Sequence, residues 1–160
     1  NRIAIISAGS VDNITYLLLI FNEFRVPCYA IFDGDRPEID PNTLTGSQRD
    51  DALNKSNRNK ELFTFLNKPV PADLFFFPAT TIEDNFTVWE KCFEDEFHKP
   101  LLDYVALKSE AKKLYGNDSK PLTARFISEK VCADPMKIDN KIDLMIAKLK
   151  TLKWTKSITD

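Results

Sequence analysis

Histidine is almost missing from this chain. His98 is the only one, and glycine, with four residues, and cysteine, with three, are nearly as scarce. A single imidazole argues against Ser-His-Asp or Cys-His catalysis, although His98 itself has the chemistry to serve. Cys28, Cys92 and Cys132 lie far apart and are odd in number, which fits neither a disulfide framework nor a zinc site. Cys28 and Cys92 have apolar neighbours in sequence and are expected to be buried, inert thiols. No apolar run approaches the roughly 20 residues that cross a bilayer. No signal-peptide pattern opens the chain, so the expectation is a cytoplasmic protein with no membrane partner. A glycine-rich loop ending in Lys-Ser or Lys-Thr, which a P-loop ATPase needs, is missing too. Chemistry here must run mainly on carboxylates and lysine.

What is present belongs to an ordinary globular protein: 160 residues, 43% apolar and 29% charged, enough to bury a real core. Arg2 leads straight into the apolar run Ile3-Ala4-Ile5-Ile6. Because termini usually lie at the surface, this start predicts a piece of a longer protein. Charge is unevenly placed. Residues 1–98 hold 9 Lys/Arg against 16 Asp/Glu, whereas residues 99–160 hold 13 against 8. An acidic part followed by a basic one suits a cation site flanked by a phosphate-binding surface. Solvated helix faces explain the same distribution.

Ile3–Ile6 reads as a buried strand followed by the turn signal Ser7-Ala8-Gly9-Ser10. Ser10 suits a helix N-cap, and Asp12 suits the first turn. Ile14, Leu17, Leu18 and Phe21 then form the stripe of a core-facing helix that ends before Pro27. Cys28–Phe32 reads as a second strand, so a βαβ unit with a parallel pair is expected. After a loop rich in Pro and Asn, a polar helix should run from about Gln48 to Leu66, anchored by Leu62, Phe63 and Leu66. Asp73–Phe77 reads as a third strand stopped by Pro78. Thr80 with Glu83 makes a capping-box pattern, and Ile82, Phe86, Trp89 and Phe93 recur at helical spacing. Three further helices follow from Leu101. The expected architecture is an α/β core over residues 1–100, with strands near 2–7, 28–33 and 73–77, and a helical C-terminal extension over 101–160.

Ligands of open parallel sheets bind at the carboxyl ends of strands. Asp33-Gly34-Asp35 falls there. Two carboxylates two residues apart can converge on one hard cation such as Mg²⁺ or Mn²⁺, and the glycine between them allows a sharp turn. The competing reading is a simple turn, for which Asp and Gly are equally suited.

The order of apolar strand, small-residue turn, amphipathic helix, proline, apolar strand and Asp-x-Asp resembles the TOPRIM domain shared by topoisomerases, primases and OLD (overcoming-lysogenisation-defect) nucleases. Arg58–Leu62, the run Trp89–Glu94 and Lys120-Pro121-Leu122-Thr123-Ala124 are similar to OLD-type C-terminal regions. The resemblance spans most of residues 1–150. It implies a small Rossmann-like parallel sheet flanked by helices, and hydrolysis of DNA phosphodiesters with Mg²⁺ or Mn²⁺. Asp33 and Asp35 would be metal ligands, Glu94 a further acidic residue near the metals with Glu83 as its rival, and Lys120 the lysine that steadies the scissile phosphate. Glu94 lies in the acidic run Glu94-Asp95-Glu96, so a solvated face is its plain alternative; for Lys120 it is an ordinary surface lysine. The family's first motif, a strand ending in Glu, is not in this sequence, and its ATP-binding head would be a separate domain of the same longer chain. DNA, that ATPase domain and further copies of the chain are the implied partners, with antiviral defence as the setting. Grip on DNA would be phosphate-directed, through Lys and Arg of residues 99–160 such as Lys148 and Lys153.

Two other readings stay open. Haloacid-dehalogenase-type phosphatases also end a buried strand in Asp-x-Asp, but a Thr or Val usually follows where this chain has Arg36-Pro37. A degenerate TOPRIM domain could instead serve as an oligomerisation or sensor platform.

Overall fold

The computed structural model describes residues 3–93, 104–116, 120–132 and 140–152, the side chains of 120, 121, 131 and 132 excepted. Among these residues it is a mixed α/β protein. Five α-helices are α1 (Val11–Glu23), α2 (Gly46–Phe65), α3 (Tyr104–Tyr115), α4 (Lys120–Cys132) and α5 (Asn140–Thr151). Three strands are β1 (Ala30–Asp33), β2 (Thr81–Ile82) and β3 (Phe86–Trp89). Two compact units result, one of Asn1–Cys92 with Met145–Asp160 and one of Phe93–Leu144.

In the first unit the sheet order is β1-β3-β2. β1 and β3 run parallel, Ala30 opposite Phe86 and Asp33 opposite Trp89, while β2 pairs antiparallel with β3. A parallel pair needs a crossover, and here α2 lies between the two strands in sequence. The core is aromatic. Phe32, Phe63 and Phe86 meet with ring centroids 5.7–6.3 Å apart, and Phe76 stands edge-on to Phe63 at 5.0 Å. Leu18, Ala30, Leu62, Leu66 and Val88 complete it. Each large side chain buried there contributes roughly 1.5–3 kcal/mol.

Both helices stop for a stated reason. Beyond α1, Arg25 takes φ 55°, and Val26 N–H reaches back to the Phe21 carbonyl at 2.8 Å. Beyond α2, Asn67 takes φ 55°, and Lys68 N–H reaches the Phe63 carbonyl at 2.9 Å. This left-handed cap satisfies the last carbonyls of a helix. Asp12 of α1 pairs with Arg58 of α2 at 3.2 Å. Ser10 occupies the N-cap position of α1 as expected, but its side chain makes no capping bond.

Three expectations change. Residues 3–7 form no strand: among the described residues the run has no ladder partner, and Ile5 is 96% exposed. A β-branched run becomes a strand only when a neighbouring backbone takes its hydrogen bonds. Residues 73–77 form no strand either, because side chains of α2 take that role. Ser56 Oγ accepts from Phe76 N–H at 2.7 Å and donates to the Leu74 carbonyl, and Lys60 Nζ donates to the Asp73 and Leu74 carbonyls. Finally, Thr80 opens no helix. The following residues form the β2–β3 hairpin, closed by Glu83 N–H to the Phe86 carbonyl at 2.8 Å. Thr87 and Val88, flanked by Phe86 and Trp89, are strong strand formers, and tertiary pairing decides in their favour. The sheet is therefore mixed and not wholly parallel.

In the second unit α3 packs on α4 through Tyr104, Ala111, Phe126 and Ile127, with Tyr115 edge-on to Phe126 at 6.3 Å. Lys130 lies over the Phe126 ring at 5.4 Å. Three helices lie here among the described residues, as the sequence from Leu101 onward predicts, and α5 supplies residues to both units.

Candidate functional site

Asp33 is the last residue of β1 and stands opposite Trp89, the last residue of β3. It therefore lies at the carboxyl end of a parallel pair, where such sheets present ligand groups. Beyond the strands the two chains stay zipped. Gly34 N–H donates to the Trp89 carbonyl at 2.6 Å, Asp35 N–H to the Lys91 carbonyl at 2.9 Å and Arg36 N–H to the Glu90 carbonyl at 3.1 Å. Two ion pairs, Arg36–Glu90 and Lys91–Glu38, cross the same seam. Both are substantially exposed, so each contributes at most about 1 kcal/mol. The backbone bonds are the firmer link.

Gly34 is required by close approach. A Cβ there would stand 2.9 Å from the carbonyl oxygens of Trp89 and Glu90. Asp35 takes φ 54°, a left-handed conformation that Asp tolerates better than most residues. Asp33 is half-buried and Asp35 is exposed. Hard carboxylate oxygens of this kind suit Mg²⁺ or Mn²⁺, which bind through one or two carboxylates and keep waters or phosphate oxygens for the rest. Among the described residues no three His, Cys, Asp or Glu side chains gather as a fuller cage.

Asp33 and Asp35 come together on one short loop, but the other expected site residues do not join them in the described structure. Glu83 lies in the β2–β3 turn, at the amino end of β3 and so at the opposite end of the sheet from Asp33, and it pairs with Lys68 at 3.5 Å. Glu94 and His98 lie outside the described residues. Lys120 is the first residue of α4, described by its backbone alone. Lys148 is engaged by Asp84 Oδ1, which holds that carboxyl below its usual range and pushes the Lys148 ammonium up. Lys153 lies outside the described residues.

Two residues of the loop's surroundings were not singled out by sequence reasoning. Glu90 follows the last residue of β3 and sits beside Arg36. Reading Phe86–Trp89 as a strand would have marked it as a carboxylate at a strand end. Asn59 is the second, 2% exposed, donating through Nδ2 to the Gly34 carbonyl at 2.8 Å. Nothing in the local sequence distinguishes it from the other polar residues of α2.

At the other end of the unit, Leu18, Asn22, Cys28, Phe65, Leu66, Asn67 and Asn85 line an open cavity of about 190 Å³. Burial pushes the Cys28 thiol up, so it stays protonated and unreactive at neutral pH. Cys28 and Cys92 are both half-buried. No helix among the described residues is long and apolar enough to cross a membrane. No family model matches this chain, and neither the curated proteins nor the solved structures contain a significant match.

Proposed function

We propose that this chain carries the cation-binding core of a metal-dependent DNA endonuclease, a TOPRIM domain of the OLD-family type. One observation supports this reading best. Asp33 ends β1 at the carboxyl edge of a parallel pair, and the loop carrying Asp35 is hydrogen-bonded to the end of the partner strand. Asp33 and Asp35 would hold Mg²⁺ or Mn²⁺. A cation bound there supplies Lewis acidity and an attacking water of lowered pKa. Lys120 would add positive charge where the leaving oxygen develops negative charge. Glu94 is the later acidic residue in this proposal. Glu83 is set aside, because the sheet separates it from Asp33 and Lys68 occupies it. Lys and Arg of residues 99–160 would grip DNA through its phosphates. An ATP-binding domain of the same longer protein, self-association, a cytoplasmic location and an antiviral role belong to the same reading.

The test is Asp33→Asn in the full-length protein. Removing a cation-binding charge without opening a core cavity should abolish Mg²⁺-dependent DNA cleavage while the circular dichroism spectrum and thermal midpoint stay near wild type. Substantial cleavage by the variant at millimolar Mg²⁺ rejects the assignment.

A second reading, a non-catalytic assembly platform on the same fold, is favoured by one observation. Ile3, Ile5 and Ile6 are exposed, and so are Tyr16, Leu19, Ile20 and Phe24 of the α1 segment. Exposed apolar surface of this extent is typical of interaction sites. Mn²⁺ binding that depends on Asp33 speaks for the nuclease; its absence from the full-length protein speaks for the platform.

A further inference from the structure

The peptide between Gly34 and Asp35 is held from both sides. Its N–H donates to the Lys91 carbonyl at 2.9 Å, and its carbonyl, that of Gly34, accepts from Asn59 Nδ2 at 2.8 Å. Fixing both polar groups of one peptide fixes its plane, and the bond from Arg36 N–H to the Glu90 carbonyl at 3.1 Å holds the next plane, so the rotation about Asp35 between them is set. That rotation matters, because Asp35 stands at φ 54°. A residue with a side chain is disfavoured in the left-handed region, so Asp35 needs neighbours that hold it there.

Asn59 is placed to do this by the spacing of α2. Ala52, Ser56, Asn59 and Phe63 share the buried face of that helix. Burying a carboxamide costs free energy unless its hydrogen bonds are met. Asn59 also reaches the Phe76 carbonyl at 3.4 Å. Its neighbour Ser56, fully buried, serves only the 74–76 segment. Both buried polar side chains of the helix thus bond the 74–76 segment, and only Asn59 also touches the Asp33-Gly34-Asp35 loop.

We propose that Asn59 is a positioning residue for the cation site: its bond to the Gly34 carbonyl sets the relative orientation of the Asp33 and Asp35 carboxylates. This inference rests on the cation reading of those two residues. Groups that orient metal ligands without touching the metal commonly change affinity by about 10- to 100-fold when removed.

The experiment is Mn²⁺ titration, read as free Mn²⁺ by electron paramagnetic resonance, on the full-length protein and on Asp33→Asn, Asn59→Leu, Asn59→Ser and Ser56→Ala. Thermal unfolding of each variant is recorded alongside. Asn59→Leu keeps the size and removes the donor. Asn59→Ser carries the same test should the leucine variant fail to fold. Wild type should bind, Asp33→Asn should not, and the Asn59 variants should bind ~10-fold or more weakly. Ser56→Ala should lose thermal stability but keep wild-type affinity, which separates positioning from general loosening of α2. Asn59 variants that bind within twofold of wild type, while Asp33→Asn has lost binding, overturn the role of Asn59 alone. An equal loss in Ser56→Ala also overturns it. Wild type that binds no better than Asp33→Asn overturns the cation reading, and the inference falls with it.

Discussion

Gly34→Ala is the most direct probe of the loop, because the obstacle to a side chain there is backbone. The added Cβ would sit 2.9 Å from two carbonyl oxygens, against 3.4–4 Å for ordinary contact. Neither oxygen can swing away. Trp89 is fully buried in β3, and both carbonyls are fixed by bonds from Gly34 and Arg36. Relief requires separating the ends of β1 and β3. Forcing extra volume into a packed site costs about 1–3 kcal/mol. Reduced freedom of the unfolded chain returns about 0.4–1 kcal/mol for a glycine replaced by alanine. The net expectation is a loss of about 1–2 kcal/mol, or roughly 4–10 °C in thermal midpoint for a unit of this size. Urea denaturation followed by circular dichroism measures it, and the variant should also bind Mn²⁺ more weakly. Stability equal to or above wild type would refute the close approach of the loop to β3.

Tyr29→Phe should cost about 1–2 kcal/mol, because the Tyr29 hydroxyl bridges the Glu83 carbonyl at 3.1 Å and the buried Thr87 Oγ1 at 2.7 Å. Burial, the largest influence, raises the Tyr29 phenol above its ordinary value. Its contribution to stability is therefore present below the ordinary phenol range and lost as pH climbs from there through the raised folded value; denaturation midpoints across alkaline pH, compared with Tyr29→Phe, check this. Cys28 should react with iodoacetamide more slowly than a free cysteine at pH 8, since burial keeps its thiol protonated; mass spectrometry of the alkylated peptide measures the rate. Lys120→Ala should lower single-turnover DNA cleavage roughly a hundredfold while leaving affinity nearly unchanged. Cleavage at the wild-type rate at saturating enzyme would make Lys120 a surface lysine.

The helices near the N-terminus were legible because their signals are local. Four apolar positions at helical spacing and Pro27 beyond the end mark α1, and Leu62, Phe63 and Leu66 mark the end of α2. Strands depend on partners, and sequence does not name them. Ile3–Ile6 has the composition of a strand but no ladder partner among the described residues. Phe75 to Phe77 is half-buried, with Phe76 packed on Phe63, while α2 side chains satisfy its backbone. All four side chains of β3 are buried. Without alternation there was no period of two to read, and the recurrence of Phe86, Trp89 and Phe93 suggested a helix instead.

The site divides in the same way. Asp33 and Asp35 could be located from sequence, because a carboxylate at the end of a short apolar run is a local pattern with a known geometric consequence. Their surroundings come from residues distant in the chain. Asn59 is 25 positions from the Gly34 carbonyl it holds, and Glu90 is 54 from Arg36. A buried carboxamide within a polar helix has no sequence signature, since its neighbours Asn54, Ser56 and Asn57 look alike on paper. Burial separates them: Ser56 and Asn59 face the core, and Asn54 and Asn57 face water. That difference arises only when the crossover helix is laid against the sheet, which is also the step that brings Asn59 under the loop. The packing that makes Asn59 costly to bury is thus the packing that gives it a carbonyl to hold.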